Sequence, residues 1–440
     1  LDGRRLFGGL VRRIPMRVSH LAIVVAITAT QLAAQKPRER ELGIPIGGTP
    51  GPLDAITDVA GVEVGSTTLI SGSGKLVVGQ GPVRTGVTVV HPRGRANPDP
   101  VYAAWFTLNG NGEMTGTTWV QESGFLEGPV AITNTHSVGV VRDAIIGWEN
   151  SLKNALQPWW LPVVAETYDG GLNDINGFHV KPEHVRAALD GARGGVVPQE
   201  GAVGGGTGMT CHGFKGGIGT ASRKLPAAQG GYTVGVLVQC NYGARSDLRI
   251  AGVPIGEEIP DLTACIANAD ALPAGRGRCD GFGGADERGT STGRTSAGDA
   301  HASNAPQATA PADEDQGSII VVVATDAPLL PHQLKRMATR VSLGIGRQGG
   351  FGGNSSGDIF IAFSTANPRA WYDDPPVKSV QTFANDLLTP LFRATAQATE
   401  AAITNALLAA VTTTGANDLR VYAMPVDRMM TAMRKYGRIK

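Results

Sequence analysis

The sequence predicts a mixed α/β fold, on three observations. Short apolar segments such as Val87 to Val90, Val130 to Thr133 and Tyr232 to Val238 are bounded by glycine, proline or asparagine, the pattern of buried strands. Between them run stretches whose apolar residues recur at helical spacing. The 440 residues include 61 glycines and only 5% aromatics, which suits tight turns and close backbone approaches better than a helical bundle.

Taken in order, the alternation begins near Gly48. Ser137 to Leu152 puts Val141, Ile145, Trp148 and Leu152 on one face of a helix, and that stripe reads as core. Lys181 to Leu189 reads as a second helix, with Pro182 in its first turn and Gly191 beyond its end. The β-branched run from Ser318 to Thr325 is that of a strand buried on both faces. Pro331 to Leu343 follows as a helix closed by Gly344, then Asp358 to Phe363 as a strand. Val377 to Val411 reads as two helices separated at Pro390, because proline offers no backbone donor. Arg420 to Met424 reads as a strand. Asp427 to Tyr436 closes the chain as a helix with Met429, Met430 and Met433 as core filler.

Composition narrows the function. A net charge of +1 gives no overall field for nucleic acid or anionic lipid, which points to small-molecule chemistry. Met16 and Arg17 precede an apolar run from Leu21 to Ile27 and then small and polar residues up to Ala34, a secretory-signal pattern with a cut after Ala34. The run is too short to span a bilayer, although a buried N-terminal helix would share its composition. The expectation is a leader at 1–34, a periplasmic or secreted product, and no membrane attachment once the leader is gone. As the first methionine is Met16, residues 1–15 are expected to lie outside the natural product. Cys211, Cys240, Cys265 and Cys279 lack the spacing of a metal or redox site, so no metal or cofactor is expected. In an oxidising compartment Cys265 and Cys279 are close enough in sequence to form a disulfide.

Several segments could carry chemistry. From about 274 to 316 small and polar residues dominate, a tether that cannot build a core. It meets the buried strand at Gly317 and Ser318, where an ordinary loop-to-strand junction would look the same. Gly353 to Gly357 fits the nucleophile elbow of an α/β-hydrolase, with Ser355 as nucleophile. There, however, the glycine-rich loop precedes a strand, and no histidine follows in the chain. Gly289 to Gly293 matches the same pattern inside the tether. Gly204 to Gly208 reads as a tight turn, lacking the lysine and hydroxyl that would make it a phosphate loop. His179 and His184 suit surface or helix-end positions. Glu166, Tyr168 and Asp169 emerge from the end of a strand, where α/β proteins place ligands and where solvated loops also occur. Asn241 follows the strand Val234 to Val238, and its amide could donate to an oxyanion.

Five stretches together resemble the family of L-aminopeptidase/D-esterases and β-peptidyl aminopeptidases. They are Asn109 to Gly116, Glu166 to Gly170, Gly204 to Met209, Gly317 to Leu329, and Ser356-Gly357-Asp358. The resemblance covers most of the chain after about residue 42 and implies a layered αββα sandwich, Ntn-hydrolase-like, built from two chains of one precursor. An α chain at 35–317 would carry the tether and a β chain at 318–440 would begin at the nucleophile. By the same likeness Ser318 is the nucleophile freed by cleavage after Gly317, and Ser356 and Asp358 orient it. Asn241 stabilises the oxyanion, and Glu166 and Tyr168 line the substrate site, where Glu166 could pair with the substrate's ammonium group and Tyr168 could donate to the developing negative charge. The implied substrate is a small peptide, amide or ester, and the implied assembly is a homo-oligomer of αβ pairs. An acyltransferase on the same fold, an esterase using Ser355, and an uncleaved binding protein remain the alternatives.

Overall fold

Along the strand Gly317–Thr325 the buried run divides by the two-residue period of a strand. Ile319, Val321 and Val323 join one apolar cluster, and Ile320, Val322 and Ala324 join another. A strand with apolar layers on both faces belongs at the centre of a sandwich. The structure, a computed structural model, describes residues 36–268, 279 and 317–440. The expected leader at 1–34 and nearly all of the polar tether lie outside the described residues.

In chain order the main strands are β1 (Glu63–Ser71), β2 (Val83–His91), β3 (Val101–Gly110), β4 (Phe125–Leu126), β5 (Val130–Asn134), β6 (Val163–Thr167), β7 (Gly217–Lys224), β8 (Thr233–Tyr242), β9 (Gly317–Thr325) and β10 (Gly357–Ser364). The main helices are α1 (Val138–Glu149), α2 (Pro182–Gly191), α3 (Pro331–Arg347), α4 (Thr389–Ala409) and α5 (Val426–Lys435). A four-stranded sheet has the order β1-β2-β5-β6, and a six-stranded sheet the order β4-β3-β10-β9-β8-β7. In the larger sheet β9 runs antiparallel to β8 and parallel to β10.

Three apolar layers follow. Between the sheets, Val90, Val130, Ile132 and Val163 meet Leu237, Ile320, Val322 and Ile361. On the outside of the smaller sheet, Val87, Val89 and Val164 pack on Val141, Ile145 and Trp148 of α1 and Val185 and Leu189 of α2. On the outside of the larger sheet, Val236, Val321 and Phe360 pack on Leu334 and Val341 of α3, Ala402 and Leu407 of α4, and Met429 and Met433 of α5. This is the expected αββα sandwich. The close approach of α4 to β7 depends on Gly219, where a Cβ would sit 2.0 Å from the carbonyl oxygen of Ala402.

Several helices depart from expectation: α1 stops at Glu149, short of Leu152, and α2 takes in Gly191. α3 runs through Gly344 to Arg347, because Gly344 is a contact point rather than a stop: a Cβ there would lie 2.6 Å from the Cβ of Thr399 on α4. The stretch 377–411 gives one α-helix, not two. Pro390 lies in the first turn of α4, where a missing N–H costs nothing, and only the short 3-10 turn Asn385–Leu387 precedes it. The strand near the C-terminus is Leu419–Val421, shorter than expected because the chain turns into α5 after Pro425. Cys265 and Cys279 are bonded, as expected, and so are Cys211 and Cys240, a pairing that sequence spacing did not suggest.

Candidate active site

Strand register brings the first functional groups together. Ser318 lies opposite Asn241 on β8 and Gly357 on β10. On β8, Leu237 belongs to the layer between the sheets while Val236 and Val238 face the helices, so Asn241 shares the inter-sheet face with Leu237. Ser318 shares that face with Ile320 by the same period. Both residues are therefore aimed into the end of the gap between the sheets. The sequence predicts Asn241 after the strand, but it is an integral member of β8, which extends to Tyr242.

Ser318 is 6% exposed, and its Oγ accepts a hydrogen bond of 3.2 Å from the backbone N–H of Gly357. On either side of Gly357, Ser356 and Asp358 are buried and joined, the serine hydroxyl donating to Asp358 Oδ1 at 2.7 Å. The pair thus fixes the short segment whose N–H touches Ser318 Oγ. Immediately before Ser318, Gly317 adopts φ +108°, and a Cβ on it would meet the carbonyl oxygen of Asn241 at 2.0 Å. Only glycine fits that approach without displacing the strand.

The Asn241 side chain is held at both ends. Its Oδ1 accepts from the backbone N–H of Thr210 at 2.8 Å, and its Nδ2 donates to the carbonyl oxygen of Tyr168 at 3.0 Å. A primary amide has two N–H donors, so one remains available to an oxygen acceptor beside Ser318. Tyr168 enters the site through its carbonyl. Its half-exposed phenol lies over Gly170, and partial burial first, then the charge of Asp169, raises its pKa.

Glu166, the penultimate residue of β6, is buried. Oε1 accepts from the backbone N–H of Glu113 at 3.0 Å, and Oε2 accepts from the hydroxyl of Thr135. Burial pushes its pKa up, and these two hydrogen bonds pull against it. A carboxylate prepared in this way gains most from an incoming ammonium, which restores the charge that burial disfavours.

The remaining candidates are elsewhere or serve the fold. Ser355 is exposed in a turn that leads into β10, the reverse of the strand-to-helix order an elbow requires. Gly289 to Gly293 lies outside the described residues. Gly204–Gly208 is a buried 3-10 turn. His179 pairs with Asp174 at 2.8 Å, and His184 accepts from the N–H of Lys181 at 3.0 Å at the start of α2. Among the described residues no group of three or more histidine, cysteine, aspartate or glutamate side chains could hold a metal ion.

Sequence reasoning missed Gly357, Thr210, Thr135 and Glu113 as participants. Three of the four act through a backbone N–H, which no side-chain pattern announces. Thr135 carried a faint signal, since Asn134, Thr135 and His136 form a polar triplet before α1.

The pattern of "Peptidase family S58" matches residues 54–421. The chain is 53% identical over 413 residues to the beta-peptidyl aminopeptidase BapA of Sphingosinicella microcystinivorans, covering 94% of this chain and 96% of that one. It is 46% identical over 420 residues to BapA of Sphingosinicella xenopeptidilytica, covering 94% of each. Among solved structures it is similar to an L-aminopeptidase D-Ala-esterase/amidase from Ochrobactrum anthropi described as a variant of the Ntn hydrolase fold, with TM-score 0.75 and 42% identity over 92% of this chain and 100% of that one. A Burkholderia beta-aminopeptidase matches with TM-score 0.74 and 44% identity over 91% of this chain and 99% of that one.

Proposed function

From the chain's membership of peptidase family S58, which makes it a serine-type aminopeptidase of the Ntn-hydrolase fold, we infer that Ser318 is its nucleophile and that the precursor frees it by cutting itself after Gly317. The observation that carries this reading is the register that sets Ser318 between Asn241 and Gly357, with the Ser356–Asp358 pair alongside.

In maturation, Ser318 Oγ attacks the carbonyl carbon of Gly317. The carbon–nitrogen bond breaks, the nitrogen of Ser318 takes up a proton, and water then hydrolyses the resulting ester. The freed α-amine has a reference pKa of about 7.7 to 8.0, so near neutral pH it can accept the proton of its own hydroxyl. In turnover the same hydroxyl attacks the substrate's first carbonyl while Asn241 Nδ2 donates to the oxygen that becomes negative. The leaving amine takes the proton from Ser318's ammonium, and water releases the acyl group. Glu166 receives the substrate's ammonium and so favours chains with a free N-terminus.

The names of the relatives support an N-terminal β-amino acid as a substrate of this chain. Export after removal of residues 1–34 and assembly of αβ pairs into a homo-oligomer complete the proposal. The leader pattern supports the former and the family resemblance the latter.

A denaturing gel with N-terminal sequencing tests the central claim. Two chains, one beginning at Ser318, are expected from the active protein and a single chain from Ser318→Ala. Full activity in an uncut chain would overturn the mechanism. Comparing β-alanyl and L-alanyl anilides tests the substrate class.

A further inference from the structure

One fully buried lysine near the site has no part in the steps above. Lys215 donates from Nζ to three backbone carbonyl oxygens: Met209 at 2.6 Å, Gly216 at 2.9 Å and Gly206 at 3.2 Å. These three acceptors match the three donors of an ammonium, a form that burial disfavours by lowering the lysine's pKa to about 7. Burying a charge is costly, and what this one secures is a fixed geometry for the segment that folds back on itself between Gly206 and Gly216. The N–H of Gly216 reinforces it by donating to the same Met209 oxygen at 2.9 Å.

The Met209 oxygen belongs to the peptide unit whose other end is the N–H of Thr210. Because that unit is planar and trans, fixing the direction of its C=O fixes the direction of its N–H. The N–H donates to Asn241 Oδ1 at 2.8 Å. A continuous line therefore runs from the ammonium through one peptide and one side-chain amide to the Asn241 nitrogen. Each hydrogen bond in such a line polarises the next. The disulfide between Cys211 and Cys240 ties the adjacent positions of the two segments, which keeps the line in register.

We propose that Lys215 is a positioning residue for the oxyanion donor, holding and polarising the Asn241 amide through the Met209–Thr210 peptide. The proposal rests on the reading of Asn241 given above.

The test compares Lys215→Met, Lys215→Gln, Asn241→Ala and the two double variants, measuring kcat and KM on the mature protein together with its thermal midpoint. Removing a whole oxyanion donor costs about 10²- to 10³-fold in kcat, so loosening one is expected to cost about 10- to 100-fold with KM changed less than about 3-fold. Lys215→Gln keeps two donors and is expected to fall between wild type and Lys215→Met. In the Asn241→Ala background the lysine substitutions are expected to cost kcat less than about 2-fold, because the group they serve is gone. Equal costs in both backgrounds would overturn the proposal, as would a higher KM at unchanged kcat. Should Lys215→Met fail to fold, Lys215→Gln decides by the same comparison. Should variants remain uncut, the rate of cleavage after Gly317 is compared across the same set. An Asn241→Ala enzyme with normal kcat would instead sink the underlying reading of Asn241.

Discussion

Asn241 and Ser318 face each other across neighbouring antiparallel strands, and the asparagine's amide is pinned on one side by Thr210 and on the other by Tyr168. Its orientation is thus set by hydrogen bonds that exist before any substrate arrives, which is the condition under which a donor stabilises developing charge most effectively. Replacing Asn241 by alanine is expected to lower kcat by about 10²- to 10³-fold with a much smaller change in KM, measured by steady-state kinetics on the mature protein.

Gly317 is strained for any other residue, since φ is +108° and a Cβ would meet the Asn241 carbonyl oxygen at 2.0 Å. Gly317→Val is expected to displace the scissile bond and slow maturation, so that uncut chain persists on a time-resolved denaturing gel. Once cut, the variant is expected to turn over substrate at the normal rate, because residue 317 is no longer attached to the nucleophile.

Glu166 keeps its proton to a higher pH than an ordinary glutamate because it is buried. The ionised form, which in the proposed function pairs with a substrate ammonium, is therefore lost as pH falls through a value above the usual ~4.3. The expected profile is a rise in KM on the acid side that Glu166→Gln abolishes. That variant is also expected to have a KM about 10- to 100-fold higher at neutral pH, the equivalent of one charge-assisted hydrogen bond.

The Cys211–Cys240 disulfide closes a segment with a sequence separation of 29. Loop-closure entropy assigns such a bridge about 3.5 kcal/mol. Replacing both cysteines by serine is expected to lower stability by an amount of that order, read from denaturant unfolding of the Ser318→Ala protein, which is expected to stay one chain.

Much of the layered fold was legible because burial leaves periodicity. The run from Ile319 to Ala324 announces a two-faced strand, and Val141, Ile145 and Trp148 announce a helix face. Proline and glycine misled where their local meaning was overruled by position. Pro390 opens α4 instead of dividing it, and Gly344 serves a neighbouring helix instead of ending its own. At the site, side chains such as Ser318, Asn241 and Glu166 could be nominated in advance. Their partners could not, because the N–H groups of Gly357, Thr210 and Glu113 are supplied by a backbone that every sequence possesses.

The order of the larger sheet bears on what happens after a cut at Gly317. β9 and β10 would belong to the downstream piece, and β3 and β8 on either side of them to the upstream piece. The nick would leave the folded particle intact while turning its unfolding from a one-body into a two-body reaction. Renaturation of the uncut precursor would be indifferent to dilution, whereas the matured pair, once melted, would have to find its complement again.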